Sequence, residues 1–169
     1  MKIISELECK EWLSKRLQPV NLNDVTDYKY SVTYHLPEDS GKKTALARAM
    51  THSIEDSQPG LFWITAWGIF PSPENVALFD GYRRSLGEVR PIHEAPGHIF
   101  DTSDLRDLEC LCDLALYFYW DASLFDGMNA IMVRTSHDET ISIHARDKVR
   151  LGKLVEGLQG LKLRQLNQV

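Results

Sequence analysis

The chain of 169 residues has no apolar run long enough to cross a bilayer. The longest, GLFWITAWGIF at 60–70, stops far short of the roughly 20 residues that a spanning helix needs. The first residues, MKIISELECKEW, carry Glu6, Glu8 and Glu11 where a secretion signal needs an uninterrupted apolar segment. The expected location is therefore the cytoplasm, with no membrane association. Cysteine is scarce and odd in number: Cys9, Cys110 and Cys112. The last two stand two residues apart on an expected helix, on nearly opposite faces, so they cannot bridge each other. Reduced, buried thiols of a reducing compartment are expected.

A surplus of positive charge is missing too. The net charge of -5 argues against nucleic acid as the main partner, because phosphate binding needs a concentrated basic surface. The charge is unevenly spread. From residue 140 onward six basic residues (Arg146, Lys148, Arg150, Lys153, Lys162, Arg164) face two acidic ones (Asp147, Glu156), a surplus of four that leaves -9 on the rest. A basic C-terminal helix against an acidic body accounts for this without a partner.

Common catalytic signatures are absent as well. There is no Gly-x-Ser-x-Gly elbow and no dinucleotide fingerprint. SGKKT at 40–44 resembles a phosphate loop but lacks its first glycine, and an additional lysine separates Gly41-Lys42 from Thr44. Cys110-x-Cys112 lacks the two-residue spacer of zinc ribbons and redox motifs. No cofactor is expected.

What is present reads as an ordinary globular domain. A hydrophobic share of 43% against 25% charged residues excludes a disordered chain, and the length suits a single domain over 1–169. Helical spacing of Leu7, Leu13 and Leu17 with Cys9 and Trp12 predicts a helix over 3–17, stopped by Pro19. YKYSVTYHL at 28–36 alternates as a strand with Tyr28, Tyr30, Val32, Tyr34 and Leu36 inward and His35 on the wet face. A helix is expected from near Ser40, then a strand at 60–70 that is apolar on both faces and so belongs mid-sheet. Ser72-Pro73 opens a helix that ends at Gly87. The stretch 88–101, with two prolines and a glycine, reads as an ordered loop, and a further helix runs from about 102 to 119.

The last third reads as a three-stranded meander followed by a helix over 146–166, weakened by Gly152, Gly157 and Gly160. Asp126-Gly127 signals a two-residue hairpin turn. Keeping Ala122, Leu124, Ile131, Val133, Ile141 and Ile143 on one buried face demands an odd second loop, such as Ser136-His137-Asp138. The fold class is α+β: a mainly antiparallel sheet of about five strands, ending in that meander, with helices packed on it.

Two stretches hold candidate chemistry. HEAPGH at 93–98 resembles the zinc-protease helix motif, but its histidines are five apart and Pro96-Gly97 breaks any helix between them. His93, Glu94 and His98 could still ligate a metal from a loop, although a fourth ligand and supporting hydrogen bonds are not evident, so no metal is expected. RTSHDETISIHA at 134–145 sets His137, Asp138 and Glu139 side by side. Neighbouring strand residues point to opposite faces, so His137 and Asp138 are not by adjacency a catalytic pair, and a hairpin tip explains them. The functional alternative adds Arg134 and His144 on the outward face of the same hairpin, as an acid/base or anion site approached by His98.

The expected function is thus a non-catalytic, cytoplasmic protein-binding domain, of the immunity or adaptor type found in bacteria, with another protein as partner. The alternative is a small enzyme or ligand-binding protein that uses Arg134, His137, Asp138 and His144.

Overall fold

The computed structural model describes residues 1–16, 28–54, 58–67 and 72–168. The expectations for Leu17, Pro19, Ile69 and Phe70 fall outside them. In chain order the elements are β1 (Lys2–Ile4), α1 (Glu6–Ser14), β2 (Tyr30–His35), α2 (Ser40–His52), β3 (Gly60–Ala66), α3 (Pro73–Ser85), β4 (Gly97–Phe100) and α4 (Leu105–Tyr117). They continue with β5 (Asp121–Phe125), β6 (Ile131–Ser136), β7 (Thr140–Ala145), α5 (Lys148–Leu158) and β8 (Gln165–Gln168). The fold is α+β, with one open antiparallel sheet of eight strands in the order β1-β4-β3-β5-β6-β7-β2-β8.

About five strands were expected, and those five (β2, β3, β5, β6, β7) form the contiguous centre of the sheet. The three additions lie at its margins. β1 is three residues long, and the chain turns into α1 at once because Ser5 caps it. The Ser5 hydroxyl accepts from the Glu8 amide while the Glu8 carboxylate accepts from the Ser5 amide, at 3.3 and 2.8 Å. β4 begins directly after the last proline of the expected loop. It pairs with both β1 and β3 at a residue that must be glycine: a Cβ on Gly97 would lie 2.1 Å from the Cys9 sulfur. β8 replaces the end of the expected helix. α5 stops at Leu158, and Lys162 in the left-handed region (φ 50°) turns the chain back along β2.

Both hairpins keep the expected buried face, although their turns differ. Phe125 pairs with Met132, so residues 126–130 make a longer loop than the expected two-residue turn. The Asp126 carboxylate organises it by accepting from the amides of Ala130 and Ile131 at 2.6 and 3.0 Å. The second loop is odd, as parity required, but is made of residues 137–139, with Glu139 left-handed at φ 58°.

Strand alternation then builds two cores. On one face Val32, Phe62, Leu124, Val133 and Ile143 meet the buried sides of α2, α3, α4 and α5. On the other, Ile4, Leu61, Trp63, Phe125 and Met132 meet Cys9, Trp12 and Leu13 of α1. Tyr28 precedes β2 and joins the second core, so the alternation expected from residue 28 holds only from Val32 onward; Tyr30 is exposed. Cys9 and Cys112 are buried and reduced, and burial lifts the Cys9 thiol to about 12, but Cys110 is exposed. Among the described residues no helix is long and apolar enough to cross a membrane.

Candidate functional site

The candidate residues are distributed over three places. The first is the face that α1 partly covers. Register lines up Trp63, Ser123, Arg134, Ser142 and Thr33 as one row across β3, β5, β6, β7 and β2, with Met132, His144 and Ser31 in the next row. The apolar cluster beneath α1 ends at Phe125 and Met132 and takes no member from β7 or β2. Beyond it the face carries hydroxyls and a cation, and the Thr33 and Ser142 hydroxyls share a hydrogen bond of 2.9 Å.

Arg134 stands in the middle of that row, half-buried, with no ion pair to any described residue. Its charge reaches His144, whose imidazole is pushed down to about 4, first by burial and then by Arg134. His144 is therefore neutral at pH 7 and packs at 6.1 Å against the ring of Tyr28. Arg134 and His144 do share the outward face of the hairpin.

The second place is the β6–β7 tip. His137 is held by Asp121, not by its neighbour. One Asp121 oxygen accepts from the His137 backbone amide at 2.6 Å and meets Nδ1 of the ring at 2.9 Å, while Nε2 stands 3.8 Å from an Asp138 oxygen. The hydrogen bond to Asp121 and its charge raise the imidazole's pKa above its ordinary value. Asp138 is turned back on the loop, its amide donating to the Ser136 hydroxyl at 3.2 Å.

Asp121 was missed by the sequence reading for a countable reason. A two-residue turn at Asp126-Gly127 would place it opposite Met132; in the observed register Ala122 faces Thr135, which brings Asp121 level with Ser136 and within reach of His137.

The third place lies in the opposite core. His98 points from β4 between Phe62 and Phe79, at ring distances of 5.8 and 6.0 Å, and is completely buried. Neither ring nitrogen has a hydrogen-bond partner among the described residues, and burial with the nearby Arg83 guanidinium lowers it to about 3. His93 and Glu94 sit outside, exposed and 3.8 Å apart. β4 thus separates His98 from the two residues with which it could have formed a metal site. No group of three or more His, Cys, Asp or Glu among the described residues is placed to hold a metal ion.

Set against protein-family models, curated proteins and solved structures, the chain matches none of them.

Proposed function

We propose that the protein is a non-catalytic binding protein, and that the half-face around Arg134 receives an acidic segment of another protein. Arg134 carries this reading. A guanidinium whose strand neighbours are Ser123 and Ser142, on the part of the face beyond the α1 cluster, has no hydrogen bond or ion pair with a described residue and so can offer its donors to a ligand. Arginine also recognises carboxylates with two parallel hydrogen bonds, and Ser142, Thr33 and Ser31 supply further polar contacts without bulk. The neutral His144 adds no competing charge.

A photoreactive amino acid at position 142, with Leu78 on α3 as the control position, tests the surface in cells of the natural source. The expected result is a cross-link from 142 to an acidic stretch of one protein and none from 78. With that protein purified, Arg134→Glu weakens binding at least about tenfold, and added salt weakens the wild-type complex. Equal cross-linking from both positions, or affinity unchanged in Arg134→Glu, overturns the proposal.

A second reading, a small enzyme working from the hairpin tip, is favoured by the Asp121–His137 contact, which orients an imidazole as catalytic histidines are oriented. The described neighbour of the free Nε2, however, is the Asp138 carboxylate, which opposes an anionic nucleophile or transition state there. The binding reading stands ahead for that reason.

A further inference from the structure

A cavity of about 430 Å³ opens on the far side of the sheet from Arg134, where the end of α2, the first turns of α5 and the β5–β6 loop meet. Its volume lies within the roughly 300–1,000 Å³ typical of small-molecule sites. The walls differ in chemistry. Ile54, Ile131 and Leu154 make an apolar side, and His52, Arg150 and Lys153 bring nitrogen donors to the other, together with Ser53 and the Asp126 carboxylate.

Arg150 is held in place from two directions. Its Nη1 donates to Asp126 at 3.2 Å, and its Nε lies 3.5 Å from Asp147, which leaves Nη2 without a described partner. Asp126 lines the same cavity, with one oxygen accepting from the amides of Ala130 and Ile131 and the other from Arg150. The loop itself is pressed against Gln58 so closely that a Cβ on Gly127 would lie 2.1 Å from the Gln58 carbonyl oxygen. Lys153, three residues after Arg150 on α5, forms no ion pair with a described residue. The outcome is an oriented guanidinium beside an ammonium that has no described ion-pair partner, both on α5, with an apolar wall opposite.

We propose that this cavity binds a small amphiphilic anion, with an oxyanion head (phosphate or carboxylate) between Arg150 and Lys153 and an apolar body against Ile54, Ile131 and Leu154. This site is separate from the Arg134 face and does not depend on it. The remaining Nη2 of an oriented guanidinium plus a second cation select an oxyanion, and the apolar wall selects what the head is attached to.

The test is an amide-resolved NMR titration of the full chain with four probes: phenyl phosphate, benzoate, inorganic phosphate and phenol. Phenyl phosphate or benzoate should saturate, with the largest shifts at Ser53, Asp126 and Lys153; which of the two binds tighter identifies the head group. Inorganic phosphate should bind about tenfold more weakly for want of the apolar body, and phenol not at all. Lys153→Glu, an exposed helix position that spares the fold, should weaken binding at least tenfold, whereas Lys10→Glu on α1 should leave it unchanged. Arg150→Gln should weaken it as well. No saturable shift up to about 10 mM, equal binding of phenol, or indifference to Lys153→Glu overturns the proposal.

Discussion

The two halves of this sheet are made of the same antiparallel pairing and differ in what covers them. In the β4-β3-β5 half both faces are packed, with α1 on one and α3 and α4 on the other, and side chains such as Leu61, Trp63 and Phe79 are almost wholly buried. In the β7-β2 half, α5 packs the inner face through Leu154 and Leu158, while the outer face carries Ser142, His144, Ser31 and Thr33. A strand covered on both sides is mostly apolar, whereas one whose second face meets no described helix can carry polar chemistry at every second position. That freedom explains why Arg134 and His144 are found where they are.

Substitutions should separate the halves sharply. Phe79→Ala removes a fully buried ring that contacts both His98 and Trp120, and should cost about 3–5 kcal/mol in urea unfolding. Ser142→Ala, on the half-buried outer face of β7, removes only the hydrogen bond to Thr33 and should cost about 1 kcal/mol or less. Gly97→Ala forces a methyl group into the Cys9 sulfur and the Ile4 side chain, and should cost about 3 kcal/mol through overpacking where α1 meets the sheet. If Gly97→Ala proved as mild as Ser142→Ala, α1 would not be the tight cover that distinguishes the first half.

The same contrast governs how much of the fold is legible in the sequence. Central strands announce themselves: GLFWITA is apolar at every position but Thr65, and YSVTYH alternates. The margins do not. β1 and β4 are too short for a period to show, and GHIF follows two prolines that mark the stretch as loop. In β8 the pattern Gln-Leu-Asn-Gln carries one apolar residue, and Leu166 fits the spacing of the preceding helix equally well. Pairing with β2, far away in sequence, decides that segment. The candidate site was legible to the extent that parity was: Arg134 and His144 share a face under any odd turn. The Asp121–His137 contact was hidden because it depends on the exact length of the 126–130 loop, which is set by the buried Asp126 carboxylate rather than by turn propensity.

Acid should also distinguish the halves. His98 and His144 are both harder to protonate in the folded protein, at about 3 and about 4 against an ordinary value of 6.5. On acidification the unfolded chain therefore takes up protons first, so stability is intact above pH 6.5 and falls below it. The His144 contribution to this fall ends near pH 4, and that of His98 continues to about pH 3. While His98 is protonated only in the unfolded chain, the loss from that group is about 1.4 kcal/mol per pH unit. Urea midpoints measured from pH 7.5 to 4.5 should drop steeply for the wild type and much less for His98→Leu, which removes the fully buried imidazole. His144→Gln should flatten the curve to a smaller degree, because His144 is only partly buried. Equal acid sensitivity of wild type and His98→Leu would mean that water reaches the core under α3.

The smallest expected effect concerns the hairpin tip, at the outer end of the open half. His137 has a raised pKa, so the sign is opposite to that of the buried pair: its contact with Asp121 contributes fully below pH 6.5 and is lost as the pH rises through the folded value. The group lies at the surface, so this contribution is minor, and an NMR titration of the imidazole reports it better than unfolding does. Asp121→Asn keeps an oxygen for the His137 amide and removes the charge that holds the imidazolium. The His137 pKa should fall back toward its ordinary value, while stability changes little. Asp138→Asn should move the titration less, because that carboxylate stands 3.8 Å away and is only the last of the influences on the ring. The reverse order, with Asp138 dominant, would place the β5–β6 register elsewhere, because only the observed pairing sets Asp121 beside the tip.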